Sequence, residues 1–212
     1  MNPLSTTDRT ALTRSKERGQ TDRAALYEVL DAGMICHLGV IVNGSPRVMP
    51  TGYGRVGDTL YLHGSTGARS LQANGEVCVT VTHLDGIVMA RSTFHHSVNY
   101  RSALVFGTPR VAEGAEKTAG LRAITERLAP GQWDTAREPN KKELAATVVL
   151  ALALDEASVK MRTGPPLDDE EDHLLDVWAG VLPVKMTFGE PVPDPLLRSD
   201  IKVPEHVRLR CP

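Results

Sequence analysis

The chain has 212 residues, of which 41% are hydrophobic and 24% are charged, and its formal net charge is −2 at pH 7. This length and composition predict one main domain with short extensions. A net charge so close to zero provides no general attraction to nucleic acid or to an anionic membrane, and no apolar run is long enough to span a bilayer. We therefore expect neither partner, and the absence of an apolar signal core favours a cytoplasmic protein.

The first elements follow from local signals. Residues 1–20 are polar and basic and predict a flexible N-terminal arm. Asp22 is a good N-cap, and a helix from there to Gly33 places its apolar residues on one face. Those residues are Leu26, Val29 and Leu30.

The middle of the chain predicts short strands joined by tight turns. Asn43-Gly44 is a typical hairpin turn between the first two strands. Closely spaced strands of this kind indicate an antiparallel sheet or barrel rather than alternating strands and helices. The six candidates are residues 34–42, 46–53, 59–63, 76–83, 86–92 and 102–111.

The last part of the chain mixes both kinds of element. Residues 113–128 predict a helix, whereas 143–155 favour a helix at the start and a buried strand towards the end. Strands are predicted at 158–163 and 181–188. The acidic run 168–172 is typical of a solvated face or a first helical turn. The domain boundaries that follow are an N-terminal arm over 1–20, a folded domain over 21–188 and a Pro-rich C-terminal arm over 189–212.

One turn in this pattern suits an anion. Residues 64–67 form a turn of small residues directly before a predicted short helix, and Arg69 lies at its start. The first N–H groups of a helix have no partner inside it, and the helix dipole favours negative charge there. The turn therefore predicts a phosphate site.

Three runs resemble a known family: YLHGSTGARSLQA, VCVTVTHLDG and SVNYRSALVFGTPRV. They resemble the pyridoxamine 5'-phosphate oxidase-like FMN-binding split-barrel family, and in particular its branch of nitroimidazole resistance proteins. The resemblance implies a mainly β fold, a split β-barrel with a few flanking helices. It also implies a homodimer that holds one FMN at each of two sites between the subunits.

The resemblance also implies which residues contact the cofactor. The strand along the flavin ring and ribityl chain would contain Arg47, Val48, Met49, Pro50 and Thr51. The phosphate side would be served by His63, Arg69 and Ser70. Polar contacts from the partner subunit would come from Tyr100, Arg101 and Ser102.

The chain departs from the oxidases of this family at three places. It has Pro50-Thr51-Gly52 where they have a lysine, Ser70 in place of a second phosphate-binding lysine, and no C-terminal substrate motif containing arginine. We therefore expect a flavin-dependent oxidoreductase for a small planar substrate that is not a true pyridoxamine phosphate oxidase. The alternative is a non-catalytic flavin- or haem-binding carrier or sensor. No residue stands out as a general acid or base.

Histidines raise the haem alternative and a metal site. His is a common ligand for both, and His63, His83, His95 and His96 lie among the strands. Adjacent histidines on an extended segment point to opposite sides, however. No Cys or carboxylate lies at a recognisable ligand spacing from them. The sequence therefore predicts no metal site, with haem as the alternative cofactor.

Overall fold

The computed structural model describes residues 3–4, 6–68 and 75–211. Ten strands and four α-helices are formed by these described residues. The strands are β1 (Gly19–Gln20), β2 (Ile35–Val42), β3 (Ser45–Val56), β4 (Thr59–Ser65), β5 (Val77–Met89), β6 (Ser97–Gly107), β7 (Arg110–Val111), β8 (Thr147–Ala153), β9 (Glu156–Arg162) and β10 (Gly180–Pro183). The helices are α1 (Arg23–Ala32), α2 (Gly114–Leu128), α3 (Lys141–Ala146) and α4 (Glu205–Arg208). Short 3₁₀ turns span Lys16–Arg18, Thr93–His95 and Glu170–Leu174.

The strands form one antiparallel sheet in the order β1-β9-β6-β5-β2-β3-β4-β8-β7, and β10 pairs with β5 off this path. Val159 on β9 and Leu152 on β8 lie near opposite ends of this order, yet both belong to one hydrophobic core. The sheet therefore curls around its apolar face. The predicted hairpin at Asn43-Gly44 is confirmed, since both residues have a positive φ, 52° and 74°, as a type I′ turn requires.

Helix α1 forms as its sequence predicts and closes one side of the core. The Asp22 carboxylate accepts the backbone N–H of Ala24 at 2.9 Å, which satisfies one of the free donors at the helix start. The three apolar residues predicted on one face are fully buried. At the end of the helix, a Cβ on Gly33 would lie 2.4 Å from the Tyr53 hydroxyl, so only glycine fits there.

Four elements differ from the sequence prediction. The predicted strand 102–111 is two strands, since β6 ends at Gly107 and β7 pairs separately with β8. The separate strands at 76–83 and 86–92 are one strand, β5, because β6 pairs along both halves across a bulge between Leu84 and Gly86. Residues 143–155 contain both elements that their pattern favours: α3 ends where β8 begins at Thr147. The predicted strand 181–188 stops as β10 at Pro183, which has no N–H to continue a ladder.

Both terminal segments contact the sheet or its helices. Leu4 is buried in the core, and β1 pairs with β9. At the other end, Arg210 donates to the carbonyl of Leu128 at 2.5 Å. The boundaries at residues 20 and 189 stay predictions. None of the described helices has the length and apolar character needed to cross a membrane.

Candidate functional site

The strand predicted to lie along the flavin has an open edge. β4 pairs only with residues 53–56 of β3, so in the described structure residues 45–52 have β2 on one side and no strand on the other. Along this stretch Val48 and Pro50 are exposed on the outer face, whereas Met49 is half-buried and packs against the core. The wall for a flat ring would therefore be formed by Val48 and Pro50, whereas Thr51 is half-buried on the opposite face of the strand, across from the buried Cys36.

Arg47 on the same strand is an exposed cation. It lies opposite Val40 of β2, and within the described residues its guanidinium takes part in no hydrogen bond or ion pair. It is therefore available for an anionic ligand.

The small-residue turn after β4 is described only up to residue 68. Three of its N–H groups are already bonded: Thr66 to the carbonyl of Ala146 at 3.0 Å, Gly67 to the Ser65 hydroxyl at 3.2 Å, and Ala68 to the Ser65 carbonyl at 2.9 Å. These three N–H groups are therefore not free to bind a phosphate. The predicted ligands Arg69 and Ser70 lie outside the described residues, as does most of the predicted short helix.

The predicted contacts on β6 lie well away from β3. In the sheet, β5 and β2 separate the two strands, which places them about 14 Å apart at the usual strand spacing. Tyr100 is half-buried, and Ser102 donates to the carbonyl of Lys160 at 3.3 Å. As the family resemblance implies, residues of β6 would contact a flavin on β3 of the partner subunit. That prediction is not tested within a single chain.

Arg101 is already engaged inside the subunit. Its guanidinium binds both oxygens of Asp85, at 3.0 and 2.9 Å, and lies 3.6 Å from Glu28. The hydrogen bonds from Arg101 lower the pKa of Asp85, and the same contacts raise the pKa of Arg101. This bidentate pair holds β6 at the bulge of β5, so Arg101 has a structural partner in addition to its predicted role.

His63 lies on β4 at a cleft of ≈ 380 Å³. The walls come from α2, from α3 and from the loop between them, and include Leu121, Trp133 and Leu144. Although part of the side chain is open to solvent, desolvation by neighbouring atoms lowers the pKa of His63. Its imidazole is therefore neutral at pH 7, and it has no hydrogen-bond or ion-pair partner among the described residues.

The other histidines weighed as ligands are engaged. The Nε2 atom of His83 lies 2.9 Å from the carbonyl of Val29, and the Nδ1 atom of His96 accepts the N–H of Ala90 at 3.1 Å. His95 lies 3.2 Å from the carboxylate of Asp169. Of these four histidines in the described structure, His63 alone combines a cleft with two unused ring nitrogens.

The cleft itself was missed from the sequence. Its walls belong to a helix and a loop that follow His63 by about sixty residues or more, so no local pattern joins them. Trp133 was the available indication, as one of two tryptophans in the chain, placed in an otherwise polar loop. Arg137 at the cleft is paired with Glu143, at 2.5 and 2.9 Å, and is not free for a ligand.

Comparison with known proteins identifies the family that has this fold. The family model described as pyridoxamine 5'-phosphate oxidase matches residues 22–161. The chain belongs to this family. The predicted family and the mainly β, split-barrel fold are therefore confirmed. Comparison with curated protein sequences gives no match.

Two solved structures resemble this member of the pyridoxamine 5'-phosphate oxidase family over almost its whole length. The flavocytochrome Anf3 from Azotobacter vinelandii is 39% identical, with a TM-score of 0.92 over 98% of this chain and 99% of that one. A protein from Mycobacterium smegmatis, described as FAD- and haem-binding, is 40% identical, with a TM-score of 0.87 over 92% of this chain and 97% of that one.

A third structure shares the fold at lower identity. It is described as a candidate 5-nitroimidazole antibiotic resistance protein from Bacteroides thetaiotaomicron. It is 21% identical, with a TM-score of 0.57 over 67% of this chain and 85% of that one. At this identity the likeness shows the split-barrel fold alone.

Proposed function

We propose that this protein binds a flavin and a haem together, and that the flavin is FAD rather than the FMN predicted from the sequence. One observation carries the proposal: two structures about two-fifths identical over nearly the whole chain are described, respectively, as a flavocytochrome and as an FAD- and haem-binding protein. The sequence prediction treated flavin and haem as alternatives. We assign the two cofactors to separate places, the haem to the His63 cleft and the flavin to the open edge of β3.

We assign the haem to the cleft beside His63, whose volume of ≈ 380 Å³ would enclose part of the porphyrin. A neutral imidazole with a free nitrogen is what a haem iron requires as an axial ligand, and His63 meets this condition. Leu121, Trp133 and Leu144 supply apolar contacts for a porphyrin. The haem would be held without covalent bonds, because the three cysteines form no C-x-x-C-H attachment motif. In this assignment His63 binds the haem rather than the flavin phosphate.

The open edge of β3 fits a flavin. Val48 and Pro50 offer an apolar surface for the ring. The diphosphate of FAD is an extended anion with two negatively charged groups, which suits charged hydrogen bonds from more than one arginine. Arg47, free of partners in the described structure, would supply one of them, and Arg69 with Ser70 would supply others as the sequence predicts.

We further propose that the protein is an oxidoreductase for a small substrate, working as a homodimer. When bound, the flavin supplies hydride and electron transfer and the haem supplies one-electron chemistry. The chain's own residues position the two groups and shield them from water. Tyr100, Arg101 and Ser102 of each subunit would reach the flavin of the other. The expected cytoplasmic location stays a prediction.

A second candidate function is a carrier or sensor without turnover. It is favoured by the missing lysine at Pro50-Thr51-Gly52 and by the missing substrate motif. Anaerobic mixing with NADH or NADPH distinguishes the two, because only an oxidoreductase is bleached by the donor and restored by an acceptor in repeated cycles.

The first test is the cofactor content of the purified protein. We expect a visible spectrum with both a flavin band and a haem Soret band, and chromatography of the released flavin should give FAD. Release of FMN alone would contradict the choice of flavin. A spectrum without a Soret band after growth with added haem precursor would contradict the haem.

His63→Ala tests the haem ligand. We expect this variant to lose haem by about tenfold or more, the size of effect expected when a ligand shell is disrupted, while its flavin content stays unchanged. His173→Ala is the matched control, since His173 is exposed and lies outside the cleft. Retention of the wild-type haem content and spectrum in His63→Ala would remove His63 from the site.

A further inference from the structure

A cluster of three potential metal ligands lies at the far end of β5, outside the cleft and the flavin edge. The Nε2 or Nδ1 atom of His95 and one carboxylate oxygen each of Asp169 and Asp172 all lie within 4.8 Å of one another. His95 belongs to the 3₁₀ turn between β5 and β6, and the two aspartates belong to the acidic segment that leads to β10. We propose that this cluster binds Zn²⁺.

The ligand spacing supports this proposal. Two ligand atoms on a tetrahedral zinc ion, at the usual zinc–nitrogen and zinc–oxygen distances, lie about 3.3 Å apart. The Nε2 atom of His95 and the Oδ2 atom of Asp169 are 3.2 Å apart. This pair already has the separation that zinc requires, and a carboxylate oxygen of Asp172 within 4.8 Å of both atoms would be the third protein ligand.

Neighbouring contacts hold the two segments in place before any metal binds. Asp168, whose side chain is 1% exposed, accepts the backbone N–H and the Nη1 atom of Arg91, both at 2.8 Å. The Ser92 hydroxyl accepts the N–H of Phe94 and caps the turn that carries His95. The ligands are thus attached to anchored backbone on both sides, which reduces the entropy lost on binding.

The local charge is strongly negative and poorly neutralised. Five acidic residues follow one another at 168–172. In the described structure Asp168 is paired with Arg91 and Asp169 with His95, whereas Glu170, Glu171 and Asp172 have no cationic partner. A divalent cation bound by two of these carboxylates would relieve their mutual repulsion.

The donor set selects the kind of metal. One imidazole nitrogen and two carboxylate oxygens suit zinc, which accepts both donor types and leaves a further position for water. Calcium prefers six to eight oxygen ligands, and these three residues do not supply them. Bound zinc would join the β5–β6 connection to a segment 74 residues later in the chain. It would thereby fasten the segment that carries β10 to the end of β5.

The sequence alone does not predict this metal site, for a specific reason. His95 and the acidic run were each considered, but no ligand spacing links residues so far apart. Only the fold brings them together.

The test is a calorimetric titration of the full-length, untagged protein with ZnCl₂, after treatment with EDTA and dialysis. We expect one zinc ion per chain in the wild type. His95→Ala, and separately the double variant Asp169→Asn with Asp172→Asn, should weaken binding by about tenfold or more. The flavin and haem contents of all variants serve as the check on folding and should not change.

Glu171→Gln is the matched control, because it removes the same charge from the same segment but no proposed ligand. We expect it to leave the zinc affinity within about twofold, as for a screened surface charge. The proposal is overturned if the wild type takes up no zinc, or if His95→Ala binds zinc as well as the wild type. It is also overturned if Glu171→Gln weakens binding as much as the double aspartate variant, since that result would show diffuse attraction only. None of these outcomes depends on the identity of the flavin or the haem.

Discussion

At the scale of single residues, Gly54 determines how closely helix α2 packs on the sheet. A Cβ built on this buried residue would lie 2.4 Å from the carbonyl carbon of Ala123 and 2.5 Å from the backbone N of Ile124. Because these are backbone atoms of a helix, no side-chain rotation can relieve the clash. The absence of a side chain at Gly54 therefore fixes the position of α2, and with it one wall of the His63 cleft.

Gly54→Ala should destabilise the protein by about 1–3 kcal/mol, the usual effect of overpacking a filled core. The variant should also lose haem, because α2 must move away from β4. Thermal unfolding and haem content measure the two effects. Gly189→Ala is the control, since a Cβ there meets no atom within 4 Å. Equal melting temperatures for the two variants would show that α2 is not held at Gly54.

Residues whose partners are close in sequence could be predicted, whereas those with distant partners could not. The helix cap at Asp22 and the hairpin turn at Asn43-Gly44 could be predicted because each depends on geometry within a few residues. His63 was named through the family resemblance and as one of four histidines among the strands, but its cleft depends on α2, α3 and their connecting loop. The contact between His95 and Asp169 spans 74 residues and is a property of the folded chain alone.

At the scale of elements, the acidic segment is attached to the sheet by one buried carboxylate. Burial alone would raise the pKa of Asp168, but the hydrogen bonds from Arg91 outweigh it and lower the pKa below the ordinary value of 3.8. An acid with a lowered pKa in the folded state stabilises that state above its ordinary pKa. This contribution is lost as the pH falls through the lowered value.

Asp168→Asn should therefore lower the melting temperature at pH 7, and the difference from wild type should shrink as the pH falls below 3.8. The cause is that acid protonates the wild-type carboxyl and leaves both proteins with a neutral side chain. Thermal unfolding over a series of pH values measures this difference. Glu171→Gln is the control, and its melting temperature should differ little from that of the wild type at any pH. If the difference in melting temperature between Asp168→Asn and wild type stays constant down to acid pH, the charge of Asp168 does not stabilise the folded state.

Element boundaries were predicted well where a turn or cap marks them and poorly where pairing decides them. α3 begins with a capping box, in which Asn140 and Glu143 are bonded reciprocally, and β8 follows the end of α3 without a break. The pattern at 143–155 contained both preferences but could not locate the change. β5 looked like two strands because Asp85-Gly86 resembles a turn, yet its neighbour β6 pairs on both sides of the bulge.

At the scale of the whole molecule, one face of the sheet remains apolar and uncovered. Ile35 and Ile41 on β2 and Val48 on β3 are 50%, 59% and 67% exposed. Their register places all three on the same outer face, since Gly39 lies opposite Val48 and Ile41 lies opposite Pro46. Exposed apolar patches of this kind mark interaction surfaces. Because Val48 also borders the proposed flavin edge, a second subunit on this face would complete the cofactor site.

Ile41→Glu tests whether this face joins two subunits. A carboxylate placed in an apolar interface would lose its hydration without gaining a partner, so we expect the variant to be monomeric by light scattering. Its flavin content should fall as well, because the partner's β6 no longer reaches the site. Val111→Glu makes a similar change at a residue of similar exposure, 54%, on β7, the last strand of the sheet order, and should remain dimeric with full flavin. If Ile41→Glu stays dimeric and retains its flavin, the subunits must meet elsewhere and β3 must hold the flavin without this face.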